Sequence, residues 1–185
     1  MADYNHELLC VLSGFGGQGL LFAGKIIANC GLIDGREVSW MPSYGPEMRG
    51  GTANCSVSLS DDAIGSPFIT RPTALVAMNQ PSVEKFASTV TAGGTIVIDT
   101  TLALEGASGI ELADGVEVAA FKATEIAEAE GLKGLANLIC VGKLWAMTNF
   151  CELEVAKQAI TKCVPPKRKH LLEPNLRAFD LGASL

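Results

Sequence analysis

Residues 7–35 read ELLCVLSGFGGQGLLFAGKIIANCGLIDG and divide into three parts. Residues 7–13 form a short apolar run that is too brief for a helix and is followed by glycines, which indicates a buried strand. Residues 18–33 carry apolar side chains at helical spacing and stop at Asp34 and Gly35, which favours a helix ended by a turn. The glycine-rich hexapeptide between them therefore joins a strand to a helix.

The hexapeptide GFGGQG has the position at which many α/β proteins bind a phosphate or a pyrophosphate. Its glycines permit a tight turn and let a ligand approach the backbone, while the amides of Gln18 and Gly19 and the helix dipole favour an anion. The alternative is that the glycines only pack the strand against the helix. The predicted phosphate site consists of Gly14, Phe15, Gly16, Gly17, Gln18 and Gly19.

The rest of the chain continues the alternation of strands and helices. Two apolar runs without alternation indicate buried strands, whereas the third strand alternates apolar and polar residues. We therefore predict a three-layer, Rossmann-like α/β fold with a mostly parallel sheet that is antiparallel or edge-exposed at its third strand. The predicted strands cover residues 37–41, 51–60, 73–78, 95–99 and 116–120, and the predicted helices cover residues 81–90, 124–130, 132–148, 152–163 and 166–179.

Length and composition set the domain organisation and the class of partner. The 185 residues suit one domain, which we place over residues 1–163, followed by an extended C-terminal arm with a short helix over residues 164–185. Only 18% of the residues are charged and the mean hydropathy is +0.29, so we expect a face that is buried against other chains.

The net charge of −6 disfavours nucleic acid as a partner. Without a signal sequence or a membrane-spanning run, we expect a cytoplasmic protein with reduced thiols.

The residues that usually carry nucleophilic or metal chemistry are sparse. The six cysteines show no paired spacing, so no zinc site or iron-sulfur cluster is predicted; we expect core thiols, with Cys55 the most exposed. His6 and His170 lie near opposite termini, which disfavours a Ser-His-Asp or Cys-His arrangement. Asp99 ends a predicted strand, where we expect it to cap Thr100 or Thr101 rather than to act as an acid.

A second candidate loop, PSYGPEMRGG, covers residues 42–51. Its prolines and glycines exclude regular structure, and Arg49 could bind a phosphate or a carboxylate through two hydrogen bonds. The equally weighted alternative is an ion pair between Glu47 and Arg49 that stiffens the loop. The candidate ligand-binding residues here are Tyr44, Arg49, Gly50 and Gly51.

A dinucleotide is the obvious ligand for a GxGxxG loop, but that fold also needs an acidic residue at the end of the second strand. Glu37 begins the predicted second strand, which ends at Trp40 and Met41 without such a residue. A stand-alone NAD(P)- or FAD-binding oxidoreductase therefore stays as one alternative. A non-catalytic scaffold subunit, whose glycines only pack interfaces, is another.

Four motifs taken together resemble the gamma subunit of 2-oxoacid:ferredoxin oxidoreductases. They are GFGGQG, PSYGPEMRGG, the IGSP of residues 64–67 and the AMNQP of residues 77–81, and the similarity runs over about residues 7–150. The resemblance implies a multisubunit enzyme that converts a 2-oxoacid into an acyl-coenzyme A and reduces ferredoxin. It implies partners of alpha, beta and delta type, and an isolated chain that is inactive and whose self-association stays open.

By the same resemblance, this chain helps to receive coenzyme A through the GFGGQG loop, Arg49 and Asn79, with Lys25 as a weaker candidate. Its contribution would be proximity rather than acid-base catalysis, and no catalytic residue is assigned. The chain lacks a Gly-Asp-Gly motif with a following Asn, as well as clustered cysteines, so thiamine diphosphate, Mg²⁺ and iron-sulfur clusters are expected on partner subunits. The 2-oxoacid stays open, with 2-oxoglutarate or a branched-chain acid favoured by the SYGPEMRGG segment.

Overall fold

A computed structural model of the chain describes residues 7–43 and 52–185. Within them, strands and helices alternate along the chain as predicted. The strands are β1 (Leu8–Phe15), β2 (Glu37–Ser43), β3 (Thr52–Ser60), β4 (Ala74–Ala77), β5 (Thr95–Asp99) and β6 (Glu117–Phe121). The helices are α1 (Leu20–Ile33), α2 (Gln80–Phe86), α3 (Ala123–Ala129), α4 (Ala136–Thr148), α5 (Leu153–Cys163) and α6 (Leu172–Ser184), with short 3₁₀ helices at Ala87–Thr89 and Pro166–Leu171.

The six strands form one mixed sheet in the order β2-β3-β1-β4-β5-β6. Strands β1, β4, β5 and β6 are parallel, whereas β3 runs antiparallel to both β1 and β2. The predicted α/β fold with a mostly parallel sheet is therefore confirmed, and so is the antiparallel third strand. That strand lies inside the sheet rather than at its edge, because β1 pairs with it on one side and β2 on the other.

The core lies on both faces of the sheet. The larger cluster packs α1, α4, α5 and α6 against one face, and the smaller cluster packs α2 and the segment after β5 against the other. Strands β4 and β5 are buried along their whole length because helices cover one face, and α2 with the segment after β5 covers the other, which explains their uninterrupted apolar sequence. Each fully buried Leu or Ile side chain contributes about 1.5 to 3 kcal/mol to this packing.

Two helices begin later than their apolar patterns predict, in both cases because of a glycine. Gly19 has φ 76 and serves as the N-cap of α1, so the helix begins at Leu20. Gly134 has φ 84, a left-handed backbone conformation that ends any helix from residue 132 before α4 begins at Ala136. Residues 132–135 therefore belong to a loop and not to α4.

The C-terminal helix begins and ends later than predicted, over residues 172–184 instead of 166–179, and the segment before it is a 3₁₀ helix and not an extended arm. After the 3₁₀ helix at Pro166–Leu171, α6 continues to Ser184 and packs along α4, with Phe179 fully buried. The close contact between α4 and α6 requires glycine at two positions. A side chain at Gly142 would collide with the backbone of Phe179, and one at Gly182 would collide with the backbone of Ile139. The division of the chain at residue 163 stays a prediction.

None of the helices within the described residues is long and apolar enough to cross a membrane.

Candidate functional site

The loop between β1 and α1 contains two glycines in the left-handed region. Gly17 has φ 96, and a Cβ atom built on it would meet no atom within 4 Å. Gly19 has φ 76, and a Cβ atom there would lie 2.6 Å from Nδ2 of Asn137. Both positions favour glycine for backbone reasons. Of these two glycines, Gly17 alone faces open space, so a ligand can approach its backbone.

Gln18 holds this loop in place. Its Oε1 accepts a hydrogen bond of 2.5 Å from the amide of Phe15, and its Nε2 donates one of 3.0 Å to the carbonyl of Met78 at the end of β4. The amide of Gln18 donates to the carbonyl of Phe15 at 3.3 Å. Gly14 is needed because a Cβ atom there would collide with Oε1 of Gln18. Gln18 therefore serves the loop's own structure with both its side chain and its amide.

The start of α1 remains suited to an anion. Its first intrahelical hydrogen bond runs from the amide of Ala23 to the carbonyl of Gly19 at 3.0 Å. The amides of the preceding helical residues, 20–22, have no intrahelical acceptor. No acidic residue lies in the first turn, and no side chain caps it. The positive end of the helix dipole is therefore not neutralised by a carboxylate of the helix itself.

Two cavities lie on either side of Gly17, which lines both of them. One, of about 280 Å³, opens toward α3 and the start of α4, and the other, of about 240 Å³, opens toward β3. The first is lined by Gly17, Gln18, Met78, Leu102, Thr124, Ala127, Glu128, Lys133, Gly134 and Ala136. The second is lined by Phe15, Gly16, Gly17, Gly19, Leu20, Leu21 and Ala53.

Lys133 is the functional candidate that the sequence did not reveal. Its apolar neighbours placed it within a predicted helix, but the structure puts it in the loop before α4 and on the first cavity, together with Gly17. Gly131 and Gly134 on either side of it were the available signal, since both adopt positive φ. Lys25, the lysine proposed from sequence, lines neither of the two cavities beside Gly17.

Asn79 has a structural role at the end of β4. It is fully buried, and its Oδ1 accepts a hydrogen bond of 2.9 Å from the amide of Ser82, which makes it the N-cap of α2. Its Nδ2 is buried without a partner among the residues that the structure describes. The hydroxyl of Ser13 donates to that of Ser82 at 2.8 Å and ties β1 to the same helix. Contact of Asn79 with a ligand stays a prediction.

Asp99 caps the end of β5, as expected. Its Oδ1 accepts hydrogen bonds from the amides of Thr101 at 3.0 Å and Thr124 at 3.3 Å, and its Oδ2 accepts one from the Thr124 hydroxyl at 2.5 Å. Thr124, on α3, is the partner that the sequence did not indicate. With three donors and complete burial, Asp99 anchors α3 to the sheet.

All six cysteines are buried and free, and Cys163, at 6% exposure, is more exposed than Cys55, at 0%, so the expectation that Cys55 would be the most exposed is wrong. Cys55 lies beneath α1, where its Sγ is 3.5 Å from the carbonyl oxygen of Leu20 and where Gly24 leaves room for it. Burial raises the pKa of the Cys55 thiol to about 12, against smaller lowering effects from Trp40 and Gly24. A thiol with this pKa is not a nucleophile at neutral pH.

The predicted ligand residues Tyr44, Arg49, Gly50 and Gly51 lie outside the described residues. The strands on either side of them are described: β2 ends at Ser43, and Ala53 of β3 is paired with Gly14 of the glycine loop. Ala53 also lines the cavity of about 240 Å³. The chain on either side of the second candidate loop therefore reaches the same edge of the sheet as the first.

The carboxyl ends of the parallel strands carry a glycine loop, an uncapped helix start and two adjoining cavities. These are the features of the ligand sites that α/β proteins form at this edge of the sheet. The family model described as pyruvate ferredoxin/flavodoxin oxidoreductase matches residues 10–185. The chain belongs to this family, which confirms the resemblance seen in the sequence.

Two relatives illustrate the extent of the similarity. The ketoisovalerate oxidoreductase subunit VorA of Methanothermobacter thermautotrophicus is 40% identical over 179 residues, which cover 96% of this chain and 36% of VorA. The chain therefore spans about a third of the length of that relative. The 2-oxoglutarate synthase subunit KorC of Methanothermobacter marburgensis is 34% identical over 178 residues, which cover 94% of each chain.

Solved structures share the fold. The gamma subunit of a keto/oxoacid ferredoxin oxidoreductase from Geobacter sulfurreducens superposes with a TM-score of 0.78 at 29% identity, covering 98% of this chain and 97% of that one. A 2-oxoglutarate:ferredoxin oxidoreductase chain from Magnetococcus marinus gives a TM-score of 0.79 at 22% identity, covering 97% of this chain and 31% of that one. At this identity the second match shows the fold alone.

Proposed function

We propose that this chain is the gamma-type subunit of a multisubunit 2-oxoacid:ferredoxin oxidoreductase. The observation that carries the proposal is the end-to-end similarity to KorC, a subunit of about the same length. In the proposed reaction a 2-oxoacid loses CO₂, its acyl group is transferred to the thiol of coenzyme A, and the two electrons released reduce ferredoxin. The partners would be subunits of alpha, beta and delta type, in the cytoplasm, and the isolated chain would be inactive.

The contribution proposed for this chain is to hold coenzyme A, and the geometry of the glycine loop supports it. The open backbone at Gly17 and the uncapped start of α1 suit the pyrophosphate. Cavities on both sides of Gly17 offer space for the rest of an extended ligand. Arg49, Tyr44 and Asn79 stay predicted contacts. By fixing the ligand, the chain would position its thiol for acyl transfer and exclude water.

The site does not fit thiamine diphosphate with its Mg²⁺, or an iron-sulfur cluster. Among the described residues there is no group of three or more His, Cys, Asp or Glu side chains that could hold a metal ion. The pKa values of the Cys10 and Cys140 thiols are raised well above the usual range, chiefly by burial, which disfavours thiolate ligation. The proposal therefore assigns these groups to the partner subunits.

The position of β3 argues against the alternative of a stand-alone NAD(P)- or FAD-dependent enzyme. In dinucleotide-binding folds the second strand lies beside the first, and an acidic residue at its end reaches the ribose. Here β3 separates β1 from β2, which moves the end of β2 away from the glycine loop by a further strand, to about 10 Å. Its last residues, Pro42 and Ser43, are not acidic.

The test is to purify the chain anaerobically from its native cell with whatever is bound to it. We expect partner subunits that contain thiamine diphosphate and iron, and a complex that reduces ferredoxin only when both a 2-oxoacid and coenzyme A are present. The 2-oxoacids to compare are 2-oxoglutarate, 2-ketoisovalerate and pyruvate, with the first two favoured. A solitary chain that retains a nicotinamide or a flavin would contradict the proposal. A complex in which coenzyme A does not bind to this subunit would favour the scaffold alternative.

A further inference from the structure

We infer that Lys133 binds the 3′-phosphate of coenzyme A, in a cavity that holds the adenosine end of the molecule. The inference rests on the proposed function, which it extends to a particular part of the ligand and a particular side chain. Lys133 and Gly17 line the same cavity of about 280 Å³, so a ligand bound there contacts the glycine loop on one side and this lysine on the other.

The backbone around Lys133 is shaped by two glycines. Gly131 has φ 69 and Gly134 has φ 84, and a Cβ atom on either would meet nothing within 4 Å. The glycines are therefore required by the course of the loop rather than by tight packing. That course ends the helical pattern before α4 and brings Lys133 to the cavity instead of leaving it on a helix surface.

The charges at this cavity are not used within the protein. Lys133 is its single basic lining residue and Glu128 its single acidic one, and neither forms an ion pair with a described residue. Lys122 pairs with Glu125, and Lys157 pairs with Asp180, whereas the exposed Lys25, Lys162, Lys167 and Lys169 resemble Lys133 in having no ion pair with a described residue. What distinguishes Lys133 from them is its place on this cavity. An unpaired cation on the cavity that also borders the phosphate loop suits an anionic ligand group.

The remaining walls suit a purine base. They are largely apolar, and Leu102, at 46% exposure, adds apolar surface that the protein itself leaves uncovered. The volume is near the lower limit of ligand pockets, roughly 300 Å³, as expected for one end of a long ligand. The carboxylate of Glu128 repels phosphate but can accept a hydrogen bond from the exocyclic amine of adenine.

Coenzyme A carries two separate anionic groups on its ribose, a diphosphate at the 5′ position and a phosphate at the 3′ position. With the diphosphate on the backbone at Gly17 and the start of α1, the 3′-phosphate needs a second positive partner close by. Within the described part of this cavity, Lys133 is that partner. Dephospho-coenzyme A, which lacks only the 3′-phosphate, is therefore the discriminating probe.

The experiment measures KM and kcat of the assembled enzyme with coenzyme A and with dephospho-coenzyme A. For Lys133→Ala we expect KM for coenzyme A to rise about tenfold, the loss of one charge-assisted hydrogen bond, with kcat unchanged and with KM for dephospho-coenzyme A unchanged. Lys133→Arg should keep most of the affinity. Lys157→Ala is the matched control, because it removes an equal charge at a site away from the cavity.

An equal rise of KM for both compounds, or no rise for either, would overturn the assignment of the 3′-phosphate to Lys133. Equal KM values of the wild-type enzyme for the two compounds would overturn it as well. Failure of the proposed function would look different, since wild-type ferredoxin reduction would then not depend on coenzyme A at all. Co-purification of the partner subunits with each variant checks that assembly is intact.

Discussion

Asn137 donates a hydrogen bond of 2.9 Å from its Nδ2 to the carbonyl oxygen of Gly19, across 118 residues of sequence. Asn137 lies in the first turn of α4, and Gly19 is the N-cap of α1, so the bond joins the starts of two helices. The Oδ1 of Asn137 is buried without a partner among the described residues. The bond holds the glycine loop against the start of α4, beside the cavity that Lys133 lines.

We expect Asn137→Ala to weaken the use of coenzyme A. Loss of a buried hydrogen bond costs about 1 to 2 kcal/mol of stability, and the loop loses one of its attachments. Urea denaturation and the KM for coenzyme A would measure the two effects. Asn175→Ala is the matched control, because Asn175, on α6, is equally buried and donates a comparable bond to the carbonyl of Leu171, the residue before that helix. The prediction fails if both variants change KM alike.

Substitution of Gly17 should abolish binding of the phosphate groups. In Gly17→Val a branched side chain occupies the space through which a ligand approaches, and the backbone at φ 96 becomes strained. Gly35→Val is the control for strain alone, since Gly35 has φ 73 and open surroundings but lies beyond the other end of α1. We expect loss of coenzyme A-dependent activity only for the first. Wild-type KM in Gly17→Val would remove the loop from the site.

The contact between α4 and α6 should be sensitive to a single methyl group. In Gly142→Ala the new Cβ atom meets the carbonyl of Phe179, so the helices must separate, at a cost of about 1 to 3 kcal/mol in the free energy of unfolding. Gly65→Ala, where a Cβ atom meets nothing within 4 Å, is the control. Thermal or urea unfolding of the two variants checks this. Equal stability would mean that the helices do not pack this closely.

The Cys55 thiol should resist alkylation in the native protein. Since burial raises its pKa to about 12, the thiolate is scarce at pH 8 to 9, and the folded state favours the protonated form. The preference of the folded state for the protonated thiol stabilises the fold fully below the pKa of the unfolded thiol, and this stabilisation is lost as the pH rises toward 12. Mass spectrometry of the Cys55 peptide after iodoacetamide treatment, with and without urea, tests the accessibility. Rapid labelling of the native protein at pH 8 would contradict the prediction.

Several elements could be predicted because they depend on neighbours in sequence. The structure confirms three such elements: the strand before GFGGQG, the helix after it and the unbroken apolar strand Thr95–Asp99. The capping role of Asp99 toward Thr101 was also visible, since the two residues are only two positions apart in the turn. Local errors arose where a glycine interrupts a helical pattern, as Gly134 does before α4.

By itself the sequence determined the α/β class, the glycine turn between β1 and α1 and the family to which the chain belongs, because periodicity, turn chemistry and motif spacing are properties of short segments. Only the tertiary structure decided that β3 separates β1 from β2, that the Gln18 side chain donates a hydrogen bond to the carbonyl of Met78, and that Lys133 shares a cavity with Gly17. These relationships join residues from distant parts of the chain. They follow from how helices and strands pack across the sheet, which no local pattern encodes.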